Sequence, residues 1–373
     1  MSGNKKICIL AENAYALITG KRDYFGGAEV QMCLLAKELK KRSYDVSFIT
    51  FEKTSKFYEL SEGVKVYNAF NNEFRGYSYI LPQNIYKLIK ILHKIDADIY
   101  IKKGHTPLTG LVAFLAKLQK KKFFFIASSE KDMDSYLNIS SFFNLTNIFF
   151  RFGVKYCTQV VCQTNHQKHL LQQNIGKNGV VIKSLYSLLK IEDINRDPKS
   201  LKILWVGRLT KEKRPELFLN LAKKMPDYNF RIIITSSKSN QKYYNEIKKT
   251  AEKIDNLDFI ENVPYKEINR YYSESSILVS TSISEGFPNT FLEAWGNAIP
   301  VVSLSFDPDE IICKYELGFH SMTFDDLVKH ASQLLKNESL RNNMGIKARN
   351  YVFSEHNVNK IINEYERLWT KEL

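Results

Sequence analysis

LKILWVGRLTKEKRPELFLNLAKK, residues 201–224, runs from an apolar strand through a charged loop into a helix. Leu201–Val206 is mostly apolar, as a parallel strand covered on both faces should be. Pro215–Lys224 opens with a proline, which suits the first turn of a helix. The same strand–loop–helix unit recurs on either side. Towards the C-terminus the strands are Phe230–Thr235, Leu257–Ile260, Ile277–Ser280 and Pro300–Ser303, with helices over Tyr243–Lys253, from Asn289, and over Val328–Lys336, Leu340–Tyr351 and Glu355–Trp369. Towards the N-terminus the strands are Lys6–Ala11, Asp45–Phe51, Asp98–Ile101, Lys122–Ala127 and Gln159–Cys162, alternating with helices over Ala28–Arg42, Gln83–Ile95, Pro107–Lys120 and Phe142–Tyr156. Alternating strands and helices predict parallel sheets covered by helices. Residues 184–200 break the rhythm: they are polar, contain Pro198 and show no period. The expected fold class is therefore α/β, with two Rossmann-like, doubly wound domains over 1–184 and 201–353, a linker over 185–200 and a final helix over 354–373. Ligands of such sheets bind beyond the carboxyl ends of the strands, so the cleft between two such domains is the expected site.

Charge is unevenly spread. Residues 1–190 carry 28 Lys and Arg against 14 Asp and Glu, whereas 191–373 carry 26 of each. The whole excess of +14 thus lies in the first half, which points to an anionic partner there or to a solubilising surface. The five cysteines (Cys8, Cys33, Cys157, Cys162, Cys313) are scattered and form no C-x-x-C pair, so neither a disulfide framework nor a zinc site is expected. The apolar run Ile7–Ala11 is too short for a signal peptide core, and no apolar run approaches a membrane span. A cytoplasmic protein, with any membrane contact peripheral, is expected.

Three loops carry chemistry. In Ser284–Trp295, SEGFPNTFLEAW, Asn289 reads as the N-cap of a helix that follows a strand. The free N–H groups and dipole of that first turn suit a diphosphate, Gly286 permits close backbone approach, and Glu285 and Glu293 can address one ligand at two points. In Leu204–Arg214, LWVGRLTKEKR, Arg208 and Lys213 follow the strand end and can neutralise a diphosphate without metal; Lys211 and Arg214 read as solvated charges. In Tyr24–Glu29, YFGGAE, Gly26 and Gly27 precede a helix and allow a phosphate or sugar to come close, without the G-x-G-x-x-G of a dinucleotide site.

Together these segments resemble the family 4 retaining glycosyltransferases, which have the GT-B fold. The likeness spans the chain and is strongest over 201–310, in VGRLTKEKRPE, EGFPNTFLEA and PDEII at Pro308–Ile312. The resemblance implies that Arg208 and Lys213 bind the donor diphosphate and that Glu293 holds the ribose. It implies that Glu285, with the backbone of Gly286, Phe287, Pro288, Asn289 and Thr290, contacts the donor sugar and phosphates. Gly26 and Gly27 would line the cleft, and the final helix would cross back onto the first domain. A hexosyl transfer with retention is implied, from a UDP- or GDP-sugar, with no cofactor and no divalent metal. One departure stands out: many relatives place a His after the strand that here ends near Ala127, where this chain has Ser128, Ser129 and Glu130. His105, after the preceding strand in KKGHTP, is the candidate for a related role. The pattern KKGHTP…IASSEKDMD is similar to the capsule and surface-polysaccharide branch.

The D-x-D pairs Asp96/Asp98, Asp132/Asp134 and Asp307/Asp309 lack the context of a metal-dependent transferase, and His166 and His169 lack a third ligand. A glycosidase reading of Glu285 and Glu293 leaves Arg208 and Lys213 without a task. Two alternatives use the same features: a nucleotide-sugar epimerase of this fold, and a protein that binds nucleic acid or another anionic surface. No nucleic-acid module is recognisable, so nucleic acid is not an expected partner. The aromatic, basic helix over Phe142–Tyr156, and Gln83–Ile95 with Lys87, Lys90 and Lys94 beside Ile85, Leu88, Ile89 and Leu92, suit an anionic membrane interface. The expected acceptor is a glycan or a polyprenyl-diphosphate-linked saccharide.

Overall fold

The computed structural model describes residues 5–20, 26–52, 57–70, 79, 81–134, 145–187, 201–235, 241–261 and 263–372. They form two compact units. Unit 1 runs to Leu185 and resumes at Val358; unit 2 is Tyr186–Asn357.

Unit 1 contains β1 (Lys6–Leu10), α1 (Tyr15–Thr19), α2 (Gly27–Lys41), β2 (Asp45–Thr50), β3 (Tyr58–Ser61), β4 (Val64–Asn68), α3 (Pro82–Ile95), β5 (Ile99–Lys103), α4 (Leu108–Leu118), β6 (Lys122–Ile126), α5 (Lys131–Asp134), α6 (Leu145–Tyr156), β7 (Gln159–Cys162), α7 (Asn165–Ile175) and β8 (Gly179–Val181). Its sheet has the order β3-β4-β2-β1-β5-β6-β7-β8, parallel except for β3. Unit 2 contains β9 (Lys202–Gly207), α8 (Pro215–Lys224), β10 (Asn229–Ile234), α9 (Gln241–Ala251), β11 (Leu257–Glu261), α10 (Tyr265–Ser273), β12 (Ile277–Ser280), α11 (Asn289–Gly296), β13 (Val301–Ser303), α12 (Ile311–Lys314), β14 (Gly318–His320), α13 (Phe324–Lys336) and α14 (Glu338–Glu355). The last helix, α15 (Val358–Glu372), belongs to unit 1. The second sheet is parallel throughout, in the order β11-β10-β9-β12-β13-β14.

Each sheet reverses its winding once, between β1 and β5 in unit 1 and between β9 and β12 in unit 2. At such a switch point the loops leaving the two central strands diverge and open a crevice. The motif residues fall on these loops: 207–214 and 281–289 in unit 2, and the turns after β1 and β5 in unit 1. Apolar side chains fill both faces of each sheet.

Three expectations are corrected. The strands β3 and β4 were not foreseen: they form a hairpin around Glu62 and Gly63, both at positive φ (46° and 79°). A two-residue loop with both φ positive is a hairpin turn usually written Asn-Gly or Asp-Gly, so Glu-Gly gives little warning of it. The second domain does not stop at 353, because α14 continues to Glu355 and unit 2 to Asn357. Asn337 caps α14 by accepting from Leu340 N–H at 2.9 Å, so that helix begins earlier than expected as well. The linker residues 188–200, and 142–144 of the expected aromatic helix, lie outside the described residues.

Helix α15 covers the same sheet face as α2. Ile361, Ile362, Tyr365 and Trp369 are buried among Leu35, Leu39 and Phe124. Arg42 at the end of α2 reaches Glu366 Oε2 at 2.8 Å, and Tyr44 donates to Glu366 Oε1 at 3.0 Å. Trp369 lies edge-on to Tyr44, with centroids 6.0 Å apart. Trp369→Ala removes a large buried ring and should cost about 3–5 kcal/mol, read as a lower urea midpoint. A midpoint within error of wild type would show that α15 is not part of this core.

Candidate functional site

Trp205 lies on β9 with its indole N–H donating to Thr281 Oγ1 at 3.0 Å. Thr281 follows β12, and its hydroxyl donates in turn to the carbonyl of Lys213 at 2.6 Å. The Thr281 carbonyl accepts from Arg214 Nε at 2.7 Å, and Ile283 N–H donates to the Glu212 carbonyl at 2.9 Å. The loops after β9 and β12 are thus tied at several points. Backbone bonds from Thr210 to Arg208 (2.9 Å) and from Lys213 to Thr210 (3.0 Å) make the first loop a tight turn. The consequence is an ion pair between the Lys213 ammonium and the Glu285 carboxylate, both largely withdrawn from solvent. Arg208 is exposed at the end of the same strand.

Arg214 is not the solvated charge expected from the sequence. It stands at the N-cap of α8 with φ 46°, and besides Thr281 its guanidinium reaches Ser305 Oγ at 2.6 Å. Left-handed backbone is costly for a non-glycine residue, so these bonds hold it there. Lys211 is exposed, as expected. Sequence reading missed Thr281, whose one signal was a hydroxyl immediately after an apolar strand.

Helix α11 starts one residue earlier than expected. Pro288 is its N-cap (φ −67°, ψ 120°) and Asn289 is its first helical residue, so Asn289 is not the cap. A proline at this place has no side chain able to accept from the first turn, and Phe291 N–H donates to the Pro288 carbonyl at 3.1 Å. Phe287 is buried, with its ring 4.8 Å from His356 and 6.3 Å from Trp295. Phe287 and Pro288 therefore anchor the loop, and what they can offer a ligand is backbone. Gly286 is buried, and Asn289 and Thr290 are half-buried. One turn further on, Glu293 accepts from Tyr272 Oη at 2.7 Å. Burial pushes its carboxyl up to about 7, against a smaller lowering effect of the tyrosine bond.

In unit 1 the turns after β1 and β5 hold a second cluster. Lys102, buried, pairs with Glu12 at 3.0 Å and donates to the Gly104 carbonyl at 2.8 Å, while Thr106 donates to Glu12 at 2.7 Å. Lys103, only 8% exposed, has no ion pair or hydrogen bond for its ammonium among the described residues. Burial lowers it to about 7, partly opposed by Asp132 and Glu29. Two adjacent lysines ending a buried parallel strand were the overlooked signal. His105 is the next residue but one; its ring lies 3.9 Å from that of Phe150, and desolvation favours the neutral imidazole. Ser128 and Ser129, where many relatives have His, are bound to Asp132: Ser128 N–H donates at 2.6 Å and its hydroxyl at 2.8 Å. Gly26 is the N-cap of α2, and a Cβ there would lie 2.6 Å from Glu29 Oε2, so Glu29 folds back over the helix start that Gly27 begins. The D-x-D pair Asp96/Asp98 is structural: both carboxylates face Lys121, at 2.9 and 3.7 Å.

Residues 25–183 match the family Glycosyltransferase Family 4, and residues 189–351 match Glycosyl transferases group 1. Among solved structures the chain is similar to sucrose-phosphate synthase from Thermosynechococcus elongatus, with TM-score 0.82 and 14% identity over 99% of both chains. It is similar to Anabaena Alr3699/HepE in complex with UDP and glucose, with TM-score 0.74 and 14% identity over 99% of this chain and 100% of that one. These likenesses and the two sheets make the fold GT-B, and the protein is a glycosyltransferase of that type. It is 25% identical to an uncharacterized glycosyltransferase of Haemophilus influenzae over 91% of this chain and 95% of the relative. It is 31% identical to the O-antigen biosynthesis glycosyltransferase WbnH of Escherichia coli over 38% of this chain and 40% of that one.

The raised carboxyl of Glu293 has a pH signature. Between the unfolded value of about 4.3 and the folded value of about 7, the folded state holds more of this proton than the unfolded state. Its contribution to stability therefore falls as pH rises through that window. Glu293→Gln, which keeps an acceptor for Tyr272, should gain on wild type by about 1–2 kcal/mol between pH 5 and 8, allowing for solvent screening. Urea unfolding at both pH values checks this, and a constant difference would contradict it.

Proposed function

We propose that the protein transfers a hexosyl group from a UDP- or GDP-sugar to a glycan or polyprenyl-diphosphate-linked acceptor, with retention at the anomeric carbon and without a divalent metal. The setting proposed is cytoplasmic synthesis of a surface polysaccharide such as capsule or lipopolysaccharide. The observation that carries this reading is the group at the switch point of unit 2. Lys213 is held against Glu285, Arg208 is exposed at the same strand end, and Glu293 lies one turn into α11. A diphosphate leaving group needs positive charge as the bond to the anomeric carbon breaks. Arg208, Lys213 and the amino end of α11 offer it, and Glu285 and Glu293 offer acceptors for sugar and ribose hydroxyls. The acceptor oxygen takes the place of the diphosphate on the anomeric carbon, and its proton leaves with the diphosphate. UDP is the first nucleotide to test, since HepE is described in complex with it.

Two features of unit 1 support an anionic, membrane-linked acceptor. Lys103 is a buried ammonium without a carboxylate at ion-pair distance among the described residues. The outer face of α3 exposes Tyr86, Lys87, Ile89, Lys90 and Lys94, with Lys90 Nζ 4.5 Å from the centre of the Tyr86 ring. A helix with this face suits the surface of an anionic bilayer, and no helix among the described residues is long and apolar enough to cross one.

Thermal unfolding with UDP, GDP, ADP and CDP should show one nucleotide raising the midpoint by several degrees, with EDTA present or absent. Arg208→Ala should remove that shift and lower kcat by about 10²–10³-fold; the absence of any shift would contradict the donor reading. Flotation should carry the protein with anionic liposomes at low salt and release it at high salt. Failure to float at low salt would overturn membrane docking and leave the donor site untouched.

A further inference from the structure

Asp307, Cys313 and His320 each offer one ligand atom, and these atoms all lie within 4.8 Å of one another. Asp307 stands before the short turn Pro308–Glu310, Cys313 is on α12, and His320 ends β14, the edge strand of the second sheet. None of the three has a task in donor binding as proposed above. Sequence reading saw only Asp307, as half of a D-x-D pair, because the other two ligands come from separate elements.

The group is already ordered as a ligand set. One carboxylate oxygen of Asp307 accepts from Ile312 N–H at 2.8 Å and the other from Cys313 N–H at 3.1 Å, which fixes the carboxylate while leaving lone pairs. The Cys313 sulfur lies beside that carboxylate, within the 4.8 Å that spans all three ligand atoms. A second, independent feature points to a missing ligand: His320 Nε2 is buried and has no hydrogen-bond partner among the described residues. Buried polar groups are rarely left so. Cys313 is the one exposed cysteine of five, which gives the group a way in from solvent.

We propose that Asp307, Cys313 and His320 bind a divalent transition-metal ion of the zinc type. One carboxylate, one thiolate and one imidazole within this spacing match a tetrahedral ion with its fourth position open to water. The mixed S, N and O set favours zinc or cobalt over magnesium or calcium. On binding, the thiol proton leaves to solvent and the metal takes its place between sulfur and carboxylate. The N–H bonds from Ile312 and Cys313 to Asp307 become the outer shell that orients its carboxylate. The ion ties α12 to the end of the edge strand β14. This role differs from metal-assisted sugar transfer.

The test is titration of the chelator-stripped full-length protein with Co²⁺, then displacement by Zn²⁺. Saturation at one equivalent is expected, with a near-ultraviolet thiolate-to-cobalt charge-transfer band and intense visible bands of tetrahedral cobalt. The other four cysteines are buried, so the band reports Cys313. Cys313→Ser should abolish the band, and His320→Asn, which removes a direct ligand, should weaken binding by more than the roughly 10–100-fold that losing an outer-shell partner costs. Zn²⁺ should raise the unfolding midpoint of wild type but not of either variant. If Cys313→Ser does not fold, His320→Asn decides alone through loss of affinity. No saturable binding, or a charge-transfer band that survives in Cys313→Ser, overturns the proposal, and the thiol–carboxylate contact is then only a cap on α12.

Discussion

The Thr281 hydroxyl lies where two loops must agree. It accepts from Trp205 on β9, donates to the backbone of Lys213, and its own carbonyl holds Arg214. One residue after β12 thereby fixes the loop after β9, and the Lys213 ammonium and Glu285 carboxylate meet as a result. A partly buried ion pair gains little net stability once desolvation is counted. Under the function proposed above its value is positional: the cation meant for a diphosphate and the carboxylate meant for sugar hydroxyls stand together before a ligand arrives. Side chains held in this way lose less freedom on binding, which is the gain of a preorganised site.

Unit 1 uses the corresponding place in its own sheet differently. Lys102 is paired with Glu12, whereas Lys103, the next residue on the same strand, is buried without such a pair among the described residues. Adjacent residues on a strand point to opposite faces, so the two lysines do not share surroundings. A buried ammonium without a partner opposes folding while it stays charged, which is why its proton is held weakly. An incoming anion would restore the charge and supply the partner. Lys103 thus keeps an unmet electrostatic demand, whereas Lys213 meets its own with Glu285.

Much of the architecture was legible because buried parallel strands are written as apolar runs separated by helices. What escaped was local. The β3–β4 hairpin turns on Glu62-Gly63, and its outer strand alternates between half-buried and exposed positions without a strong apolar signal. The expected positions of Arg208, Lys213 and Glu285 in loops after strands, and of Glu293 inside a helix, are those of the structure. Arg214 looked like one more basic residue, since its role depends on a carbonyl 67 positions away in sequence. Asn289 carries a strong capping signal, yet the proline before it takes the cap because its fixed φ suits that corner. Cys313 and His320 gave no signal, as only folding brings strand and helix together.

The central claim is that Lys213 and Glu285 divide one donor between them, phosphate to the lysine and sugar to the glutamate. Calorimetric titration of wild type, Lys213→Met and Glu285→Gln, with the favoured nucleoside diphosphate and then with its sugar-bearing form, tests this most directly. Lys213→Met should weaken the plain diphosphate by about tenfold or more, the loss of one charge-assisted hydrogen bond. Glu285→Gln should leave the plain diphosphate nearly unchanged and weaken only the sugar-bearing donor. Equal affinities across the three proteins for both ligands would contradict the account.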